Sequence, residues 1–241
     1  MDNRTLKRAL ISVYHKDGIE PIARKLISLG VELLSTGGTY DFLKGLALPV
    51  TAVEDITGYP SILGGRVKTL HPKIFGGILS RRENKKDCEQ IIEFEIPSID
   101  LVIVDLYPFE EYVASNSPHE EIVEKIDIGG ISLIRAAAKN YKDVIIVASK
   151  EQYPALQAIL EKGSGSSTIE ERRFFATQAF NVSSHYDTAI FKYFNREEAV
   201  DAFKESILVS KTLRYGENPH QKALYFGNEG SLPEQLWGKD I

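Results

Sequence analysis

The first 150 residues or so alternate short apolar, β-branched runs with segments of helical character. The runs "RALISVY", "VELLS", "LPVTAV", "IDLVIVDLYPF" and "DVIIVAS" each have the length and composition of a buried strand. Helical patterns separate most of them. In chains with this alternation the strands lie parallel in one sheet and the helices cover its faces. We therefore expect an α/β fold, doubly wound, with a mainly parallel sheet flanked by helices and followed by a helical extension.

Polar residues at the ends of these segments predict where helices begin. Asp17 is placed to cap the helix in "GIEPIARKLISLG". Ser149, followed three residues later by Gln152, has the pattern of a capping box before "EQYPALQAILEKG". The stretch "EDITGYPSILGGRVKTLHPKIFGG" has no clean period, and we expect a long loop with short helical pieces there.

The sequence changes character twice after the alternating part. We expect an α/β domain over 1–150, a helical extension over 151–206 and a third region over 207–241. The stretch "GSGSS" resembles a linker, and "IEERRFFATQAFNVSSHYDTAIFKYF" has apolar residues at helical spacing. In the third region, "SILVSKTLRYGENPHQKALYFG" predicts extended chain around a tight turn.

Composition excludes several classes of protein. The 241 residues carry a net charge of -5, so no global positive field attracts nucleic acid or a membrane. A single cysteine, Cys88, excludes an intramolecular disulfide, and the five histidines lack the spacing of a metal-binding helix, so we expect no metal site. With no signal-peptide pattern and no long apolar run, we expect a cytoplasmic protein.

Polar clusters follow three of the predicted strands. Because ligands of open parallel sheets bind at the carboxyl ends of the strands, these clusters are expected to converge on one crevice. Lys16 would supply charge to an anion seated on the backbone of the glycine-containing turn. The same turn is equally compatible with a plain connection beside a solvated lysine. The clusters contain Tyr14, His15 and Lys16, then Thr36, Gly37, Gly38 and Thr39, then Asp105 and Tyr107.

Two further stretches combine glycine pairs with charged residues. "GGRVKTLHP" places Arg66 and Lys68 in a segment without amphipathic order, either as an exposed basic loop or facing a phosphate or oxyanion. In "IDIGGISLIRAAAKN", Asp127 precedes a glycine pair and Lys139 comes twelve residues later. On one straight helix that spacing would part them by about 18 Å. If they share a small substrate, the helix must start late, end early or turn back.

In order and spacing, "SVYHK", "STGGT", "GGRVKTLHP", "DLYPF" and "IDIGGISLIRAAAKN" resemble the inosine monophosphate (IMP) cyclohydrolase domain. That domain is the N-terminal half of the bifunctional purine-biosynthesis proteins. Their C-terminal half is an aminoimidazole-carboxamide ribotide (AICAR) transformylase. The stretch "LRYGENPHQ" of this chain resembles the opening of that half. The resemblance covers essentially the whole chain and implies a methylglyoxal-synthase-like α/β domain.

The resemblance also implies an activity and a set of site residues. The implied reaction closes formyl-AICAR to IMP with loss of water, with no cofactor and no metal, in an enzyme that forms a homodimer. The implied catalytic residues are Lys68, Tyr107, Asp127 and Lys139. Asp127 and Lys139 would handle the carboxamide proton, while Lys68 and Tyr107 would orient and polarise the formyl group. The implied substrate-binding residues are Tyr14, His15, Lys16, Thr36, Gly37, Gly38, Thr39, Arg66, Val67, Thr69, Asp105 and Ile128.

In the third region, Arg214 and Tyr215 match positions that hold AICAR in the transformylase half. The chain stops at Ile241, before the folate pocket and the catalytic Lys-His pair of that half, so we expect no formyl transfer. The chain departs from the family pattern at Tyr14 and His15, where many relatives have Ser and Asp, and at Asp105, where relatives often have Asn.

Two other functions are compatible with a methylglyoxal-synthase-like domain. One is a regulatory module that senses a phosphorylated ligand, and the other is a methylglyoxal synthase acting on dihydroxyacetone phosphate. Neither needs "GGRVKTLHP" or "RAAAKN", so both stretches favour the cyclohydrolase.

Overall fold

The computed structural model describes residues 3–162, 165–197, 199–214, 216–218 and 220–227. Within these residues a parallel sheet runs in the order β4-β3-β2-β5-β6, flanked by helices. The strands are β1 (Arg4–Thr5), β2 (Arg8–Ser12), β3 (Glu32–Ser35), β4 (Thr51–Ala52), β5 (Leu101–Val104), β6 (Ile145–Val147), β7 (Ser166–Ser167), β8 (Ser210–Leu213) and β9 (Ala223–Phe226). The order runs outward from β2 in both directions, which defines a doubly wound sheet.

The helices are α1 (Ile19–Ser28), α2 (Gly37–Gly45), α3 (Val53–Thr57), α4 (Pro72–Leu79), α5 (Lys85–Glu93), α6 (Phe109–Ala114), α7 (His119–Val123), α8 (Gly129–Lys139), α9 (Tyr153–Lys162) and α10 (Ile169–Phe194). Short 3-10 turns lie at Leu63–Gly65 and Lys150–Gln152. Helix α8 packs on β5, β6 and α4, whereas α1 packs on β3 and α9. The predicted fold class, a doubly wound parallel sheet flanked by helices and followed by a helical extension, is confirmed.

Strands β5 and β6 are apolar along their whole length, and β2 is apolar between Arg8 and Ser12, because both faces of the sheet are covered. Leu10 and Ile11 on β2, Ile103 on β5 and Ile146 on β6 are all fully buried. Burial of each such side chain contributes about 1.5–3 kcal/mol. The core therefore fixes the strands whose ends carry the polar clusters.

Three predicted segment ends are wrong. The predicted strand "LPVTAV" is reduced to Thr51–Ala52, because Val53 begins α3 and buries its side chain in the core. The capping residue of α1 is Gly18 rather than Asp17, with a φ of 75° that glycine adopts without strain. The side chain of Ser149 makes no capping bond to any described residue, and Gln152 Oε1 instead accepts from the N–H of Ala148 at 2.9 Å.

A reciprocal capping box does occur, at the start of α10. Thr168 Oγ1 accepts from the N–H of Glu171 at 3.2 Å, and Glu171 Oε2 accepts from the N–H of Thr168 at 2.8 Å. The next residue, Arg172, is fully buried, and its guanidinium donates to the carbonyls of Tyr141 at 3.0 Å and Ser167 at 2.7 Å. The first turn of α10 is thus tied to the sheet domain.

The chain divides into two compact units, Met1–Ser183 and Ser184–Ile241. The first contains the whole parallel sheet, and the linker-like "GSGSS" ends there in β7, which pairs antiparallel with β1. In the second, β8 and β9 pair antiparallel, which confirms the predicted extended chain, whereas part of the predicted tight turn lies outside the described residues. No helix in the described ranges is both long and apolar enough to cross a membrane.

Candidate active site

A crevice of about 1150 Å³ opens at the carboxyl ends of β2, β3 and β5. It lies where the strand order runs outward from β2, the usual ligand position in doubly wound sheets. Its walls come from the ends of those three strands, the loop between α3 and α4, and the turn between α7 and α8. The predicted residues that line it are Tyr14, Lys16, Thr36, Gly38, Thr39, Arg66, Lys68, Thr69, Asp105, Tyr107, Asp127 and Ile128.

The anion-binding features predicted for Lys16 and the "STGGT" turn lie side by side. Lys16 Nζ donates to the carbonyls of Val13 and Tyr14, the latter at 3.0 Å, and lies 3.3 Å from Thr39 Oγ1. Thr39 is in the first turn of α2, so the ammonium stands at the positive end of that helix. Burial lowers the pKa of Lys16, the nearby ammonium of Lys68 adds to this, and Asp105 opposes it.

Gly37 makes room for the amine of Lys68, and Gly65 lies beside the same amine. Gly37 has a φ of 52°, and a Cβ at this position would collide with Lys68 Nζ. Gly65 has a φ of 84°, and a Cβ there would lie 3.6 Å from the same nitrogen. Gly37, although it is not itself among the described residues that line the cavity, therefore allows Lys68 Nζ to lie close to the start of α2. Two ammonium groups at a helix N-terminus form a strong site for an anion such as phosphate.

The departures from the family pattern at positions 15 and 105 pair with each other. The carboxylate of Asp105 accepts from the backbone N–H groups of Tyr14 and His15, the latter at 3.0 Å. It also lies 2.8 Å from His15 Nδ1. Asp105 is thereby occupied by the turn after β2, and the imidazole offsets the additional carboxylate when it is protonated.

Asp127 lies just before α8, and the pKa of its carboxyl differs from that of an ordinary aspartate. Its Oδ1 accepts a hydrogen bond of 2.6 Å from the N–H of Gly130. Burial raises the pKa of Asp127 above 3.8, against the effect of backbone hydrogen bonds from Gly130 and Tyr107. The charge of Asp105 raises this pKa further, and that of Lys68 lowers it. A carboxyl with a raised pKa in a crevice is a candidate general base.

Sequence reasoning missed two residues at the mouth of the crevice, Glu124 and Lys125. Arg66 forms an ion pair with Glu124, which joins the loop before α4 to the turn after α7. Lys125 Nζ lies 4.4 Å from the ring centre of Tyr112 and 5.9 Å from that of Tyr107. The available signal was their position directly before "IDIGG", but charged residues at the end of a helix usually face solvent.

Lys139 is not brought to the crevice. Helix α8 runs unbroken from Gly129 through Lys139, so the expectation that it ends or bends before Lys139 is wrong. Its eleven residues rise about 16 Å. Lys139 is exposed at the far end of α8, and the lining of the cavity, within the described part of the chain, reaches only Gly130 on this helix. The good helix formers in "RAAAK" explain why the helix continues.

The other predicted residues are placed as follows. His15 and Val67 border the crevice in sequence but are outside the described residues that line it. Arg214 directly follows β8 in the second unit. Tyr215 lies outside the described residues.

The fold and the crevice define a methylglyoxal-synthase-like domain, and a family model described as "MGS-like domain" matches residues 18–132. A second model, "AICARFT/IMPCHase bienzyme", matches residues 137–241. The crystal structure of ForH superposes with a TM-score of 0.68 and 35% identity, over 78% of this chain and 97% of that chain. The chain belongs to the AICARFT/IMPCHase bienzyme family.

Curated relatives agree with this assignment. "Bifunctional purine biosynthesis protein PurH" of Bacteroides thetaiotaomicron is 61% identical over 241 residues, which are 100% of this chain and 47% of the relative. The protein of the same name from Rhodospirillum rubrum is 46% identical over 98% of this chain and 46% of its own length. The chain thus spans about half the length of these bifunctional relatives.

Proposed function

We propose that the chain is an IMP cyclohydrolase, which closes formyl-AICAR to IMP and releases water. One observation carries the proposal: the carboxyl of Asp127, with its raised pKa, opens into the same crevice as the ammonium groups of Lys16 and Lys68. A ribonucleotide 5′-phosphate suits the lysines and the start of α2. A carboxamide nitrogen that must lose a proton needs a base beside it, and Asp127 suits that role.

The chemistry of ring closure requires these groups. The carboxamide nitrogen attacks the formyl carbon, so a C–N bond forms while the carbonyl oxygen gains negative charge. The carboxamide nitrogen loses one proton and the formamido nitrogen loses another. The formyl oxygen takes up both and leaves as water. The site therefore needs a proton acceptor for the nitrogen and donors for the oxygen.

The residues of the crevice can be assigned to these steps. Asp127 accepts the carboxamide proton, since hydrogen bonds from Gly130 and Tyr107 fix its carboxylate. Tyr107 keeps its proton because burial and the charge of Asp127 raise its pKa above 10.0, so its hydroxyl can donate to the formyl oxygen. Lys68 supplies positive charge between the anion site and Asp127.

The resemblance also assigns proton transfer to Lys139. About 16 Å of helix separates its end of α8 from the end beside Asp127. The proposed mechanism therefore uses Asp127 alone for the carboxamide proton, and the role of Lys139 stays a prediction of the resemblance. We assign the second unit's hairpin, β8–β9 with Arg214, to the start of the transformylase region, and the homodimer stays a prediction.

The decisive experiment mixes the purified chain with formyl-AICAR and follows IMP by ultraviolet absorbance. A blank without protein corrects for spontaneous closure. The matched variants are Asp127→Asn, which should lower turnover by about a hundredfold or more, and Asp55→Asn on the exposed side of α3, which should not change it. If IMP forms no faster with the chain than in the blank, the proposal is wrong.

The same sample distinguishes the other functions compatible with the fold. Binding of formyl-AICAR without turnover would indicate a ligand-sensing module. Release of methylglyoxal from dihydroxyacetone phosphate would indicate a methylglyoxal synthase. Neither alternative is favoured by the family assignment.

A further inference from the structure

Lys125 lies among three tyrosine rings at the edge of the crevice. Its Nζ is 4.4 Å from the ring centre of Tyr112, 5.7 Å from that of Tyr14 and 5.9 Å from that of Tyr107. All three distances are within the range of cation–π attraction. The rings of Tyr14 and Tyr107 also meet edge to face, with centres 5.3 Å apart. The four side chains therefore form one packed group, which we name the tyrosine–lysine cluster.

The cluster joins three separate segments of the chain, and its members Tyr14, Tyr107 and Lys125 line the crevice. Tyr14 follows β2, Tyr107 follows β5, Tyr112 lies on α6, and Lys125 lies two residues before Asp127. Lys125 is the hub, since its ammonium is in range of every ring. Tyr107 is also linked to the proposed base, because its backbone N–H donates a hydrogen bond to Asp127.

Charge near Tyr107 is balanced by Lys125. The titratable groups that face the Tyr107 hydroxyl are Asp127 and Tyr14, which raise its pKa, and Lys125, which lowers it. Those that face Lys125 are the three tyrosines, led by a side-chain hydrogen bond with Tyr112, and they raise its pKa. Lys125 therefore stays a cation wherever the enzyme is expected to work, and it makes the Tyr107 hydroxyl a stronger hydrogen-bond donor.

We propose that Lys125 is a positioning residue that acts through Tyr107, by holding its ring against Tyr14 and its hydroxyl toward the formyl oxygen. This role rests on the proposed cyclohydrolase function. Although Lys125 also lines the crevice, this role differs from substrate binding because it acts through the tyrosine rings in range of the ammonium. It also differs from simple packing, because the positive charge itself is required.

The test compares Lys125→Gln, which removes the charge, with Lys125→Arg, which keeps a cation that stacks on aromatic rings. The matched control is Lys142→Gln, an exposed lysine outside the described lining of the crevice. In the formyl-AICAR assay, Lys125→Gln should lower kcat by about fivefold to tenfold with KM changed less than about twofold. Lys125→Arg should keep at least about half of the kcat. Equal losses in both variants, or no loss in Lys125→Gln, would contradict the proposal.

A second measurement separates this inference from the proposed function. The ionisation of Tyr107 is followed by tyrosinate absorbance, as the difference between each protein and the same protein with Tyr107→Phe. Because a nearby cation stabilises tyrosinate, Tyr107 should ionise at higher pH in Lys125→Gln than in the wild type or Lys125→Arg. This holds even if formyl-AICAR is not the substrate. An unchanged titration overturns the proposal, and a lower melting temperature with an unchanged titration would show a packing role only.

Discussion

Asp127 and Gly130 are joined by a hydrogen bond of 2.6 Å from the glycine N–H to the carboxylate. The α-carbon of Gly130 faces the same group, so a Cβ on this residue would lie 2.5 Å from Asp127 Oδ2 and 2.9 Å from Cγ. No real Cβ approaches a carboxylate so closely. The position of the proposed base therefore depends on residue 130 having no side chain.

Substitution of Gly130 should strongly lower turnover without unfolding the protein. In Gly130→Ala the methyl group displaces the Asp127 carboxylate, and we expect kcat for IMP formation to fall by about a hundredfold, as for loss of the base itself. Gly45→Ala is the control, because a Cβ there meets no described atom within 4 Å. Circular dichroism should show a folded protein for both. A Gly130→Ala enzyme with nearly normal kcat would contradict the assignment of Asp127.

The pH range in which kcat/KM is high should be narrower, at both its acid and its alkaline limit, than an ordinary aspartate and lysine would give. Asp127 must be ionised to act as a base, and its pKa is raised above 3.8, so activity should be lost at a higher pH than an ordinary aspartate would give. The pKa of Lys16 is lowered below 10.5, so attraction of the phosphate should weaken earlier on the alkaline side. The profile is measured as initial rates between about pH 4 and 10. An acid limb that persists unchanged in the residual activity of Asp127→Asn would show that another group titrates there.

Removal of Lys16 should weaken phosphate binding selectively. Lys16→Ala removes an ammonium at the start of α2, and the loss of one charge-assisted contact predicts about tenfold to a hundredfold weaker binding of IMP. Binding of inosine, which has no phosphate, should change by less than about twofold. Calorimetric titration with both ligands tests this. Equal losses for IMP and inosine would place Lys16 elsewhere than at the phosphate.

A fourth prediction concerns stability. Arg172 is fully buried and donates to the carbonyls of Tyr141 and Ser167. Arg172→Met leaves those oxygens without that donor and should lower the free energy of unfolding by about 2–4 kcal/mol. The neighbouring Arg173 is exposed, and Arg173→Met should change the free energy of unfolding by less than about 0.5 kcal/mol. Urea denaturation measures both. Similar values for the two variants would show that the buried guanidinium contributes little.

The sheet could be predicted because its central strands bury both faces and contain short apolar runs, as in "LVIV" at β5. The ends of segments were harder. The pattern at Ser149 and Gln152 matched a capping box as well as Thr168 and Glu171 did, but only the second pair has the hydrogen bonds. Local sequence therefore does not determine which of two such pairs forms the reciprocal hydrogen bonds of a capping box.

The residues of the site were predictable where they follow strands, since parallel strands bring their carboxyl ends together. Lys139 was misplaced in the predicted crevice because the resemblance identifies a position but does not give the path of α8. Lys125 was missed for the opposite reason. Its partners Tyr14, Tyr107 and Tyr112 are distant in sequence, so nothing in the neighbouring residues distinguishes it from a solvated lysine.

The ion pair between Arg66 and Glu124 connects the two sides of the crevice mouth, with both side chains more than half exposed. Exposed pairs of this kind contribute little and are screened by salt. A higher ionic strength should therefore affect ligand entry in two opposing ways. It weakens the electrostatic attraction between the lysines and an anion, which disfavours entry, and it weakens the ion pair of Arg66, which leaves the guanidinium available to bind the anion. For an incoming phosphate, capture at Arg66 would displace the carboxylate of Glu124, which stays at the mouth without its ion pair and adds negative charge behind the bound anion.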